Sequence, residues 1–318
     1  MGDAGVAPTA AVARRPRAPT RDRAPRSRLR GKSNVLTGGA MVLIAIVVAI
    51  HPSFVSGQDP IAQDIGNRLL PPMWMAGGQA QWPLGTDQLG RDVLSRLAHG
   101  ARISLTVGFC SILIGGPIGL ALGLIAGYRG GIADAVVMRL VDLHLAFPFL
   151  LLAMALIAIL GAGVWKMVLI FALTSWMLYA RTVRASVLSL REREFVQGAR
   201  AIGAGGVAIV ARHILPNAVN PLIVLLSFDV ARIILTESAL SFLGLGAPPP
   251  APSWGSMLSE GREYIEDAWW IAAFPGLAIM VVTVGVSVLG NGLRDLLDPN
   301  FEPLTDRTRG GDGGTSDT

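Results

Sequence analysis

The sequence predicts an all-α polytopic membrane protein with six transmembrane helices. Of its 318 residues, 52% are hydrophobic and only 15% are charged, and the mean hydropathy is +0.52. Soluble globular proteins carry about 25% charged residues, so this composition cannot cover a water-facing surface of normal polarity. Six stretches of the chain can also cross a bilayer as helices. These observations exclude an ordinary soluble enzyme.

A helix that crosses the hydrocarbon core needs about 20 mostly apolar residues. Four stretches of that length contain no Asp, Glu, Lys or Arg. They are residues 33–58, 103–128, 143–165 and 268–293. Residues 167–180 form a shorter candidate, which Lys166 and Arg181 can extend by reaching toward the membrane interfaces. The remaining candidate, residues 217–240, contains three charged side chains.

The distribution of Lys and Arg predicts that both termini are cytoplasmic. With this orientation the cytoplasmic segments contain 20 of these residues and the outer segments contain six, in agreement with the basic excess of cytoplasmic loops. The chain then divides into a first transmembrane helix at 34–58, an extracytoplasmic segment at 59–102 and a five-helix core at 103–302. The ends, 1–33 and 303–318, are predicted to be disordered because they contain too little apolar surface to fold.

The basic excess of the chain is concentrated near its N-terminus. Residues 1–34 contain nine basic and two acidic side chains, and the whole chain has a net charge of +5. Neither zinc-finger spacing nor the aromatic and basic pattern of RNA-binding proteins accompanies this segment, so we expect no nucleic-acid partner. Contact with anionic lipid headgroups and a role as a solvated orientation signal both fit the segment.

Charged residues inside membrane-spanning segments mark functional sites or buried ion pairs. Asp229 and Arg232 are three residues apart, so they can share a helix face and pair with each other. Glu237 lies nearer the outer end of the same span. We predict these three as possible residues of a translocation path, and a structural ion pair is the alternative.

Four glycines in the second span recur at every fourth position and therefore lie on one helix face. They are Gly115, Gly119, Gly123 and Gly127. Small residues at this spacing allow a second helix to approach closely. That helix can belong to the same subunit or to a partner.

Catalytic motifs are missing where the sequence allows a test. Gly31-Lys32-Ser33 matches the end of a phosphate-binding loop, but that loop requires a glycine where the chain has Arg26. The four histidines lack metal-ligand spacing, and the single cysteine, Cys110, can form neither an intramolecular disulfide nor a CxxC site. We therefore expect no catalytic, cofactor or metal site in this chain.

The loop between the fourth and fifth spans, residues 181–213, carries the most specific signal. Residues 186–202 are predicted to form a helix, which Gly203 ends with a flexible turn. A second helix then runs to Leu215-Pro216, where the fifth span begins. A short helical hairpin that projects from a membrane bundle is suited to docking on another protein.

This loop resembles the EAA motif of ABC importer permeases, in which Glu-Ala-Ala is followed by three residues, a glycine, nine residues and Ile-x-Leu-Pro. The residues at the matching positions are Gln197, Gly198, Ala199, Gly203, Leu215 and Pro216. The sequence departs from the motif in having Gln for Glu, Gly for Ala, and His213 for the isoleucine.

Further segments resemble the dipeptide, oligopeptide and nickel permease family, and in particular the second of its two permease subunits. They are residues 83–96 and 100–105, Asp142 with Ala146-Phe147-Pro148, and residues 240–246. The order of these segments matches that family, and the resemblance covers about residues 34–303. It implies the type I ABC importer transmembrane fold in a bacterial inner membrane.

The resemblance implies a non-catalytic subunit of an ATP-driven peptide importer. A homologous second permease subunit would complete the translocation path, two cytoplasmic ATPase subunits would bind ATP and magnesium, and an extracytoplasmic solute-binding protein would deliver the peptide. The loop would be the coupling helix that contacts an ATPase subunit. The residues expected there are Glu194, Gln197, Gly198, Ala199, Arg200, Ala201, Gly203, Leu215 and Pro216. Nickel chelates and glutathione are alternative substrates, and an ATP-independent secondary carrier is the alternative class of protein.

Overall fold

The computed structural model describes the backbone of residues 25–297 and the side chains of residues 31–297. All regular secondary structure within these residues is helical. The α-helices are α1 Pro25–Ile50, α2 Val93–Arg129, α3 Gly131–Leu145, α4 Phe149–Leu160, α5 Val164–Leu190, α6 Glu194–Ala201, α7 Gly206–Ile209, α8 Leu215–Phe242, α9 Trp254–Gly261 and α10 Trp270–Leu297. The disorder predicted for 1–33 and 303–318 concerns, apart from residues 25–33, positions outside the described residues.

Five helices in this part of the chain are long and apolar enough to cross a membrane. They are α1, α2, α5, α8 and α10. The pair α3 and α4 passes the same test only together and is bent by 89° at a short break, so the bundle has up to six spans. The predicted all-α polytopic fold is confirmed.

The third predicted span, residues 143–165, is not a single helix. α3 ends three residues before Pro148, and α4 begins directly after it. Proline lacks the N–H that would bond to the preceding turn, and it disfavours helical geometry at the residue before it. The chain therefore turns at this point. The fourth span is also longer than the predicted 167–180, since α5 occupies Val164–Leu190.

The first helix lies earlier in the chain than the predicted 34–58. α1 begins at Pro25 and ends at Ile50, so the predicted disordered tail is helical from residue 25 onward. Proline is favourable in the first turn of a helix, and the arginines that follow it are good helix formers. The helix ends where it does because Pro52 disfavours helical geometry at the residue before it.

The glycine stripe of α2 packs against α5 of the same subunit, which decides between the two alternatives for this stripe. A Cβ atom added to Gly115 would lie 2.9 Å from the carbonyl oxygen of Ala172, and one added to Gly123 would lie 2.7 Å from that of Ala180. Both positions therefore have room for the hydrogen atom of glycine but not for a Cβ atom. α2 and α5 therefore touch backbone to backbone, and α8 packs on both of them.

At the end of the bundle predicted to be extracytoplasmic, four charged side chains join the first turns of α2 and the segment before it to α9. Arg91 bonds to Asp87 at 2.6 Å and to Glu260 at 2.7 Å. Arg96 bonds to Glu260 at 2.8 and 3.0 Å and also to Asp87. Burial raises the pKa of the Glu260 carboxyl, but the hydrogen bonds and charge of Arg96 outweigh burial and hold this pKa below its ordinary value. Two arginines thus balance two carboxylates.

Candidate functional site

The loop that resembles the EAA motif folds as a separate short helix. α6 begins at Glu194, so the predicted single helix over 186–202 is wrong: α5 continues to Leu190, and a turn separates the two helices. The turn includes Arg193, whose ψ of 145° is extended rather than helical and redirects the chain. Glu194 then places a carboxylate in the first turn of α6, near the positive end of the helix dipole.

α6 has one buried face and one exposed face. Val196 is fully buried, Ala199 is 7% exposed, and both lie in an apolar cluster that includes Val187 of α5 and Ile209 of α7. Most of the predicted coupling residues lie outside this cluster and are exposed. They are Glu194, Gln197, Gly198, Arg200, Ala201 and Gly203. The helix is therefore anchored to the bundle along one side, and its other side is accessible.

Three large apolar side chains lie on the accessible side of the loop, and the sequence analysis missed them. Phe195 is 47% exposed, and Ile202 and Val207 are each 86% exposed. Several large apolar side chains with such exposure on one short loop indicate a surface that contacts another protein. Phe195 and Ile202 are seven residues apart, about two helical turns, so their spacing could have indicated this second apolar stripe.

Gly203 ends α6 in a conformation that favours glycine. Its φ of +81° lies in the left-handed region. Its N–H donates to the carbonyl of Arg200 at 3.0 Å, and the N–H of Ala204 donates to the carbonyl of Ala199 at 3.0 Å. These bonds satisfy carbonyl groups at the end of the helix. A Cβ added to Gly203 would have no atom within 4 Å, so glycine is required here by backbone geometry and not by space.

A π-helical turn over Val210–Ile214 joins the loop to α8. Leu215 and Pro216 form the first turn of α8, and Pro216 has no N–H to continue the hydrogen bonding of the preceding π-helical turn. Leu215 is half-buried and Pro216 is exposed. The guanidinium of Arg200, an exposed residue, lies 5.8 Å from the ring centre of Tyr128 in α2. The loop thus contacts three membrane helices: α2, α5 and α8.

The structure brings Asp229 and Arg232 together inside the bundle, as their spacing predicts. Arg232 Nε donates to Asp229 at 2.5 Å, and Nη2 donates to Asp229 at 3.2 Å and to Ser175 at 3.0 Å. Tyr179 also donates to Asp229, and the guanidinium lies 4.8 Å from the ring centre of Phe149. The pair therefore joins α8 to α5 and α4. Ser175 and Tyr179 escaped the sequence analysis, although polar residues four apart in an apolar helix share a face.

Glu237 lies apart from this pair and is fully buried. Its carboxylate accepts hydrogen bonds from Ser104 at 2.9 Å, Ser241 at 2.6 Å and Ser238 at 3.4 Å. Burying a carboxylate costs free energy unless hydrogen-bond donors such as these replace its hydration. In this structure the carboxylate joins α8 to α2, and its place in a translocation path stays a prediction.

An apolar helical bundle that carries an exposed loop and an internal ion pair defines a polytopic membrane protein. Comparisons with known proteins identify its family. A family model described as a binding-protein-dependent transport system inner membrane component matches residues 119–303, which include α6, Gly203 and the Asp229–Arg232 pair.

Similar proteins include three bacterial permeases. The di/tripeptide transport system permease protein of Pseudomonas aeruginosa is 44% identical over 266 residues, which cover 83% of this chain and 88% of that protein. The probable D,D-dipeptide transport system permease protein of Escherichia coli is 40% identical over 271 residues, 85% of this chain and 89% of that protein. The glutathione transport system permease protein of Pectobacterium atrosepticum is 41% identical over 267 residues, 84% and 87% of the two chains.

The chain belongs to the family of binding-protein-dependent transport system inner membrane components, since the family model and the relatives each cover more than half of it. The resemblance to ABC peptide permeases is thereby confirmed. So are the type I ABC importer fold and the location in a bacterial inner membrane, which the chain crosses several times.

Proposed function

We propose that this chain is one of two permease subunits of an ATP-driven importer of di- and oligopeptides. It forms half of the translocation path, and a homologous second permease subunit forms the other half. An extracytoplasmic solute-binding protein delivers the peptide. Two cytoplasmic ATPase subunits bind ATP with magnesium and hydrolyse it, so this chain has no catalytic role. Two relatives described as di/tripeptide and D,D-dipeptide permeases support this substrate class.

The observation that carries the proposal is the accessible side of the loop that α6 and α7 form. It combines charged groups, Glu194 and Arg200, with the exposed apolar side chains of Phe195, Ile202 and Val207. An apolar centre with a polar rim is the usual composition of a protein–protein interface. In this proposal Glu194 and Arg200 meet an ATPase subunit directly, together with the exposed Gln197, Gly198 and Ala201. Ala199, Gly203, Leu215 and Pro216 hold the shape of the loop.

Coupling follows from the way α6 is anchored. Closure of the ATPase pair on ATP displaces α6, and Val196 transmits this displacement to Val187 of α5 through the buried cluster. The π-helical turn at Val210–Ile214 passes it on to α8. Because packed helices shift between discrete arrangements, the bundle alternates between inward-open and outward-open states. ATP binding and hydrolysis by the partners bias this equilibrium.

Uptake of labelled trialanine by the reconstituted complex tests the proposal. We expect uptake only when both permease subunits, the ATPase subunits, the binding protein and ATP are present, and a non-hydrolysable ATP analogue should abolish it. A complex without this chain is the control. Uptake that persists with the analogue would identify a secondary carrier and overturn the proposal.

Glutathione is a second candidate substrate, because one relative is described as a glutathione transport permease. Glutathione is itself a tripeptide, so the same path could carry it. Unlabelled glutathione and unlabelled trialanine should each be added as competitors in the uptake assay. Stronger competition by glutathione would favour this second candidate.

A further inference from the structure

Arg232 is a charged residue that stays partly exposed inside a membrane-spanning helix. Its side chain is 39% exposed, whereas that of its partner Asp229 is 3% exposed. At the helical rise of 1.5 Å per residue, Arg232 lies roughly 25 Å along α8 from Leu215, well inside the helix. An arginine at this depth is costly where it faces lipid. Its exposed side therefore faces water-filled space or the partner permease, both of which adjoin the proposed path.

The contacts of the guanidinium leave one of its nitrogens available. Nε and Nη2 donate to Asp229 and Ser175. Among the residues that the structure describes, Nη1 of Arg232 has no hydrogen-bond acceptor, although an arginine carries five N–H donors. The ring of Phe149, 4.8 Å away, packs on the guanidinium as well. The group is therefore held in place from α4, α5 and α8 while one edge remains free to bind.

We propose that Arg232 binds the carboxylate of a peptide as the peptide passes through the bundle. This inference rests on the proposed function and adds to it a residue that recognises the C-terminal carboxylate, a group that every linear peptide carries. Arginine and carboxylate form short, charge-assisted hydrogen bonds. Such a bond offsets the free-energy cost of the hydration that the carboxylate loses inside the bundle.

Asp229 is the positioning residue of this site. It balances the charge of Arg232 when no peptide is present, so the pair carries no net charge within the membrane. It also attracts the same guanidinium that the peptide carboxylate contacts, which keeps the binding of the peptide weak. A transport site must release its substrate as readily as it binds it. Asp229 therefore favours passage over retention.

The test compares uptake of trialanine with uptake of trialanine amide, in which a neutral amide replaces the C-terminal carboxylate. The ratio of acid to amide uptake is measured for complexes with wild-type permease, Arg232→Met and Arg232→Lys. Because the same binding protein serves every variant, its own preference cancels when the ratios are compared. Arg139→Met is the matched control, since Arg139 is an exposed arginine of α3 and its loss removes the same charge.

We expect Arg232→Met to lower the acid-to-amide ratio about 10-fold, as for the loss of one hydrogen bond between charged groups. Arg232→Lys should keep most of the wild-type ratio, and Arg139→Met should keep all of it. If the methionine variant fails to assemble, Arg232→Gln provides the same comparison without the charge. Substrate-stimulated ATP hydrolysis checks the assembly of each variant.

Two results would overturn the inference. One is an unchanged ratio in an assembled complex that carries Arg232→Met or Arg232→Gln. The other is a structure of the complex in which a carboxylate of the partner permease accepts a hydrogen bond from Nη1 of Arg232. A wild-type complex that takes up neither compound would instead refute the proposed function, so the two failures are distinct.

Discussion

Replacement of Gly203 by valine is expected to uncouple ATP hydrolysis from transport. The φ of Gly203 is +81°, and a residue with a branched Cβ is strained in this region. A Cβ added here would have no atom within 4 Å, so the valine Cβ clashes with no neighbouring residue. The perturbation is therefore confined to the backbone at the end of α6.

The magnitude follows from this conformation. A left-handed backbone costs a non-glycine residue about 1–2 kcal/mol, and a difference of this size changes an equilibrium about 5–30-fold. The equilibrium constant between the native turn after α6 and its other conformations should fall by this factor. Transport per ATP hydrolysed should fall accordingly. Membrane insertion should be unaffected, since Gly203 is exposed and lies outside the membrane-spanning helices.

The measurement compares peptide uptake with ATP hydrolysis in the reconstituted complex. Gly205 provides a matched control, because it is also exposed and has open space around an added Cβ, but its φ is −64°. We expect Gly205→Val to transport normally. Gly203→Asn should be closer to the wild type than Gly203→Val, because asparagine tolerates the left-handed region. Normal coupling in Gly203→Val, or an equal defect in Gly205→Val, would refute the role of this turn.

Three further predictions concern the stability of the bundle, measured as the melting temperature of the purified complex. Because folding lowers the pKa of Glu260, its contribution is complete above the ordinary glutamate pKa and is lost as the pH falls through the lowered value. The melting temperature should fall in that acidic range, and Glu260→Gln, which leaves Arg96 without this carboxylate, should remove that part of the pH dependence. Gly123→Leu forces a side chain into a site where even a Cβ lies 2.7 Å from the backbone of α5; it should destabilise the bundle by about 1–3 kcal/mol or prevent assembly. Ser104→Ala removes a donor from the buried carboxylate of Glu237 and should reduce the free energy of unfolding by about 1–3 kcal/mol. Unchanged melting temperatures in the last two variants would contradict the packing and hydrogen bonding described above.

Much of the fold was predictable because the bilayer constrains the sequence so strongly. A spanning helix needs a long apolar segment, and every backbone group within it must be satisfied internally. The errors occurred where a few local residues end a helix. Pro148 divides the third span, and the extended backbone of Arg193 separates α6 from α5. A proline inside a span predicts a kink, as at Pro148, but it does not by itself decide a break, since Pro117 and Pro275 lie inside continuous helices.

In the candidate site, too, the sequence determines which residues share a helix face, and the packing of the helices determines the rest. Periodicity alone placed Asp229 and Arg232 on one face of α8 and the four glycines on one face of α2, because helical geometry fixes which residues of a helix point the same way. It could not say which neighbour meets each face. That Ser175 and Tyr179 of α5 complete the ion pair depends on how the helices pack. Packing joins residues that lie far apart in the chain, and only the folded bundle decides those contacts.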